Sequence, residues 1–177
     1  MNKPHSGKPE SFEISVRPWS ENDLTLLKRM NTAEMWAHLG GPESEEALAS
    51  RHQRYMKAVP GQVRMFTILF GDEAVGNVGY WAQHWRDQDV FEVGWGVLPE
   101  FQGHGIAMTA TSAMLDMLRD DVPGAIVYAF PGVSNFPSNA ICRKLGFSLA
   151  GETEVEFPKG SWMKSNEWRL EFHGQSG

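Results

Sequence analysis

Two glycines stand between a run of β-branched and aromatic residues and a run with helical spacing, in Gln102-Gly103-His104-Gly105-Ile106-Ala107. The first turn of a helix has N–H groups without intrahelical partners and carries the positive end of the helix dipole. Glycines there let an anion approach the main chain, because no Cβ stands in the way. A phosphate or pyrophosphate is the guest that fits, held by backbone amides from Gln102 to Ala107. Two other phosphate loops can be set aside. No Lys-Ser or Lys-Thr follows, and the third glycine and acidic partner of the dinucleotide fingerprint are missing.

A second chemical group lies ten residues upstream of that loop. Glu92 interrupts an otherwise apolar stretch, Val90, Phe91, Val93, Trp95 and Val97. A carboxylate in such a strand is costly unless it faces a polar cleft, and partial burial raises its pKa toward the range of a general base. The other reading of Glu92 is a surface or ion-paired strand residue. His84, in a preceding polar stretch, is an alternative base or a solvated loop residue. His104 sits in the glycine loop and borders the anion. The six histidines are scattered without metal-ligand spacing, so no metal site is expected.

These groups need a scaffold. Residues 90–97 read as a strand that ends before Pro99. Ile106, Ala110, Ala113, Met114, Met117 and Leu118 then recur at helical spacing. Upstream, Phe12, Ile14 and Val16 alternate as a strand ended by Pro18. Ser20 and Asp23 form a weak capping box before Leu24, Leu27 and Met30. Residues 31–39 suggest a short second helix, and Ser44 caps another that ends at Pro60-Gly61. Residues 63–70 and 74–81 read as a hairpin about Gly71, and Gln83 to Asp89 as a polar loop. Downstream come a buried strand at 125–130, a helix at 135–145 closed by Gly146, a strand at 147–157 and a last strand with Trp168, Leu170 and Phe172. Residues 1–11 read as a flexible lead-in, 12–173 as one domain, and 174–177 as a disordered tail.

The chain has 177 residues and a formal net charge of −6, with no basic run, which argues against a nucleic-acid binder. Its one cysteine, Cys142, excludes an internal disulfide and suits a reducing compartment. No apolar run approaches membrane length and no signal-peptide core is seen, so a cytoplasmic protein is expected.

Three segments in order carry a resemblance. Gln102, Gly105 and Ala107 give Gln-x-x-Gly-x-Ala. Downstream stands Asn135-Phe136-Pro137-Ser138, whose helix runs to Leu145-Gly146-Phe147. Upstream stand Ile14 to Pro18, then Asp23-Leu24. Together they resemble the GNAT N-acetyltransferases, most closely the Rim-type branch that includes ribosomal-protein N-terminal acetyltransferases. The resemblance implies an α/β fold: a mixed, mostly antiparallel sheet flanked by helices, with a splayed central strand pair that admits acetyl-CoA. It implies transfer of an acetyl group to a primary amine by direct attack in a ternary complex.

By position, the resemblance also assigns roles. Main-chain groups of Trp95, Val97 and Leu98 would hold the pantetheine and thioester, with the Val97 amide as oxyanion donor. The loop Gln102, Gly103, His104, Gly105, Ile106 and Ala107 would hold the pyrophosphate. Asn135 would bind pantetheine amides, or else only form a turn. Ser138 would lie near the sulfur, or else only cap its helix. Cys142 occupies a position where many members carry tyrosine. It would border the cofactor and serve the leaving thiolate poorly, or simply pack. Glu92 would take the amine proton, directly or through water. Trp36, His38, Trp81, Trp162 and Trp168 are candidates for the acceptor pocket, or for the core. The expected partners are a small-molecule or peptide amine and a second copy in a homodimer. A catalytically silent CoA-binding sensor and a nucleotide-binding α/β module are the alternatives.

Overall fold

The computed structural model describes residues 12–37, 39–157 and 159–173. The lead-in at 1–11, the tail at 174–177 and His38 lie outside the described residues. The elements are β1 (Ile14–Pro18), α1 (Leu24–Met30), α2 (Glu45–Tyr55), β2 (Val63–Phe70), β3 (Glu73–Trp85), β4 (Gln88–Val97), α3 (Ile106–Asp121), β5 (Ile126–Ala129), α4 (Phe136–Lys144), β6 (Ser148–Glu156) and β7 (Trp162–Glu171). The seven strands form one sheet in the order β1-β2-β3-β4-β5-β7-β6. Every neighbouring pair is antiparallel except β4 and β5. Among the described residues no helix is long and apolar enough to cross a membrane.

The parallel pair is the feature that positions the site. β4 and β5 match at only two residue pairs, Phe91 with Val127 and Glu92 with Tyr128. Beyond Glu92 the strands part, and the backbone of β4 loses its neighbour on that side. α3 covers one face of the sheet through Ile106, Ala110, Met114 and Leu118, all in the main core. Met114 and Leu118 are fully buried, each worth roughly 1.5–3 kcal/mol relative to exposure. The opposite face carries a smaller core where Leu26, Leu27, Met30 and Leu48 of α1 and α2 meet Met65.

Two expectations fail for traceable reasons. Residues 83–89 are not a loop but the end of the β3–β4 hairpin, paired through Trp85 and Gln88. The reversal needs only Arg86 and Asp87, both with positive φ (48° and 59°). This is the backbone that a two-residue hairpin turn demands. In the stretch expected to be a second short helix, residues 33–37 form successive turns instead. The Asn31 carboxamide brackets the Glu43 backbone, donating to its oxygen (2.8 Å) and accepting from its N–H (2.9 Å), so the chain loops back at that point. Arg17, at the end of β1, is structural: it grips Asp23 with two bonds of 2.7 and 2.8 Å.

Candidate active site

The glycine loop begins where β4 ends. Gly103 and Gly105 both have positive φ (79° and 73°), and a Cβ at either position would meet nothing within 4 Å. Positive φ at Gly105, the residue preceding α3, is a conformation that side-chain-bearing residues resist. Among the described residues, the amides of Gly103, His104, Gly105, Ile106, Ala107 and Met108 make no hydrogen bond. The Gln102 amide differs from expectation, because it donates to the Pro99 oxygen (3.2 Å). Its side chain instead ties the loop to the strand, Nε2 donating to the Val97 oxygen at 2.9 Å. The result is a row of bare donors at the positive end of a 16-residue helix.

The strand leading to that loop has its own unpaired groups. The Leu98 N–H donates to Val75 O at 2.8 Å, so Leu98 turns its amide toward β3. Its oxygen accepts from the Phe101 N–H at 2.9 Å, so both main-chain groups expected to contact the pantetheine already have partners. Successive residues of a strand direct their backbone groups to opposite sides. Trp95 and Val97 therefore turn theirs toward β5, which pairs no further than Glu92. Their amides point into the gap.

A cleft of about 920 Å³ opens at that gap and runs along the face carrying Glu92 and Trp81. Trp81 and Glu92 are cross-strand partners, and the indole Nε1 donates to Glu92 Oε2 at 3.2 Å. Gly94 is the reason the ring fits, since a Cβ there would lie 3.0 Å from the indole edge. Burial pushes the Glu92 carboxyl up from 4.5 to about 7, only partly offset by bonds from Trp81 and Gln83. Glu92, Trp81, Trp95, Asn135 and Ser138 all line this one cleft.

Other candidates fall elsewhere. His84 is exposed and pairs with Asp89 at 3.0 Å. It alternates with Gln83 and Trp85, so it lies on the sheet face away from Glu92. Trp36 is buried and stacks on Phe157 at 5.9 Å, with the Arg51 guanidinium 4.9 Å over its ring. It supports the cleft wall from behind. Trp168 is core, its Nε1 bound to Asn139 at 2.8 Å. Trp162 does line the cleft, at its mouth, and is 65% exposed.

Cys142 is fully buried in the main core and does not line the cleft, contrary to its expected place beside the cofactor. Burial pushes its thiol up to about 12. Native protein should therefore resist alkylation by iodoacetamide, with labelling appearing only in denaturant. Rapid native labelling, followed by intact mass, would contradict this placement.

Sequence reasoning missed Asn139, a buried carboxamide with every bond made. Its Nδ2 donates to Gly132 O (2.9 Å) and Asn135 O (2.8 Å), while Oδ1 accepts from Asn166 and Trp168, both at 2.8 Å. Asn139 thus fixes the turn that carries Ser134 and Asn135 into the cleft. Asn135 in turn accepts the Ser138 N–H at 3.2 Å, capping α4. An asparagine one turn into a helix has no local signature of such a role, because its partners lie on β7. Asn139→Leu leaves the Asn166 Nδ2 and Trp168 Nε1 donors without their acceptor, while the Gly132 and Asn135 oxygens keep a backbone N–H each, and should lower stability by roughly 2–4 kcal/mol in urea unfolding. An unchanged midpoint would show the network to be dispensable.

The fold and the cleft together define an acetyltransferase of the GNAT class. Residues 13–148 match the Acetyltransferase (GNAT) domain family, and the chain belongs to it. The spermidine N(1)-acetyltransferase of Escherichia coli K12 is 26% identical over 151 residues, spanning 84% of this chain and 80% of that protein. A ribosomal L7/L12 alpha-N-protein acetyltransferase solved with coenzyme A has the same fold, with a TM-score of 0.73 and 19% identity over 93% of this chain and 97% of its own. An aminoglycoside acetyltransferase solved with coenzyme A superposes with a TM-score of 0.69 at 17% identity, covering 90% of this chain and 95% of that one.

Proposed function

We propose that this chain transfers an acetyl group from acetyl-CoA to a primary amine held in the cleft above Glu92. One observation carries the reading: the bare amides of residues 103–108 continue, through the inward-facing amides of Val97 and Trp95, toward a half-buried carboxylate. A diphosphate suits the first part, an extended amide-bearing arm the second, and an amine the third.

The residues divide the work as follows. Amides at 103–107 hold the diphosphate. The Val97 N–H donates to the thioester oxygen as it gains negative charge. Glu92, ionised above its pKa of about 7, takes the proton of the attacking amine, directly or through one water. The nitrogen–carbon bond forms and the carbon–sulfur bond breaks, with the Ser138 hydroxyl donating to the departing sulfur. Much of the rate comes from holding two reactants in line. The relatives named above are described as acting on spermidine and on a ribosomal protein's α-amine, and both substrates present an amine.

A catalytically silent CoA-binding protein is favoured by one feature, the buried Cys142 where many family members carry tyrosine. Thiol release from acetyl-CoA across a panel of amines separates the two. Amine-dependent release with equimolar acetylated product supports the transferase. Tight CoA binding with no release for any amine supports the silent protein.

A further inference from the structure

The cleft above Glu92 is walled by aromatic rings, two of which are held in place by carboxylates. Trp81 donates to Glu92 itself. Trp85 lies on the same strand face and packs edge-on to Phe130 at 4.9 Å. Its Nε1 donates to Glu167 Oε1 at 3.1 Å. That carboxylate is 2% exposed and is gripped by Arg86 through two bonds of 2.8 Å, which hold it well below the usual range. The buried glutamate therefore fixes both the hairpin turn and the angle of the Trp85 ring. At the mouth stand Trp162 and Phe157, 65% and 44% exposed, with no ring covering the outer face of Trp162 among the described residues. Large exposed rings at the rim of a cleft mark a binding surface for apolar groups.

The charges lining the cleft are mixed. Arg51 and Arg54 of α2 both line it. Arg51 is already paired with Glu43. Arg54 has no carboxylate partner among the described residues, its Nη1 donating only to Ser50. Facing them are Glu154 and Glu156 of β6, both exposed and standing at the rim. The two guanidiniums and the two rim carboxylates offset one another in number, so the rings are left to set the preference. A single ammonium on an apolar body meets rings along the walls and the Glu92 carboxylate at the floor, and aromatic faces attract an ammonium as well.

We propose that the acceptor is a primary monoamine on an aromatic or apolar body, its ring seated between Trp85 and the Trp162 rim and its nitrogen at Glu92. This rests on the transferase reading for the direction of the nitrogen, but it is tested by binding. Phenethylamine and spermidine are titrated calorimetrically into the protein, with and without CoA. Phenethylamine should bind about tenfold or more tightly than spermidine, a difference of about 1.4 kcal/mol. Trp162→Ala, at an exposed position that should not disturb folding, should weaken phenethylamine several-fold and leave spermidine unchanged. Trp85→Phe, which keeps a ring but drops the bond to Glu167, should do the same. Spermidine binding as tightly as phenethylamine, or a Trp162→Ala variant that weakens both alike, would overturn the proposal. Thiol release is scored separately. If no amine of the wider panel is acetylated, the transferase reading falls, while the affinity ratio still decides this one.

Discussion

Gly105→Val should reduce coenzyme A affinity at least about 100-fold, a loss of roughly 3 kcal/mol. Two effects act together. Gly105 has φ of +73°, and a β-branched residue held there costs on the order of 1–3 kcal/mol in strain. Relief of that strain turns the row of amides at 103–108 away from a common point. The added methyl groups also enter the open space beside the loop, where nothing of the protein lies within 4 Å of a Cβ. Gly105→Asn separates the two effects, because asparagine tolerates positive φ. It should keep the helix start and lose less affinity than valine. Isothermal titration with coenzyme A gives both values, and circular dichroism checks that α3 persists. Wild-type affinity in the valine variant would remove the loop from the binding site.

Glu92→Gln should lower turnover by roughly 10²–10⁴-fold at pH 8. The wild-type profile should carry the mark of the same group. Its carboxyl is raised from 4.5 to about 7, so kcat/KM should climb as pH rises through 7 and level off above it. In the glutamine variant that limb should vanish.

Stability should move the opposite way. The folded state holds the proton more tightly than the unfolded chain does, so Glu92 costs nothing below pH 4.5. The cost grows as pH rises from 4.5 to 7 and is complete above 7, at roughly 3 kcal/mol. Glu92→Gln should therefore raise the melting temperature at pH 8, and the two proteins should converge near pH 4. A variant that is slower yet more stable at alkaline pH is the signature of a carboxylate kept in an apolar wall for chemistry. Near-normal turnover across pH would take Glu92 out of the reaction.

The central unit was legible because its signals are local. The apolar period changes from two residues to helical spacing across Gln102 to Ala107, and glycines mark the change. Ser44 accepts from the Ala47 N–H as a capping residue should, and Gly146 has the positive φ expected after a helix. What stayed hidden depends on partners far along the chain. Arg86 adopts its turn conformation with its side chain on Glu167, 81 residues later. Trp36 is core because Phe157 stacks on it. Asn139 is a hub because Asn166 and Trp168 reach it from β7. Leu98 and Val97 are both expected to offer main-chain groups to the cofactor, and only the register of β3 against β4 tells them apart. Periodicity reports which face a residue takes, not which distant group will meet it there.

A crystal structure of the protein with coenzyme A is the decisive measurement. The diphosphate should lie within hydrogen-bond distance of the amides at 103–107. The pantetheine arm should lie along Trp95 and Val97 in the gap beside β5, with the sulfur near Ser138. A diphosphate bound away from the start of α3, or an arm lying outside the β4–β5 gap, would contradict this placement.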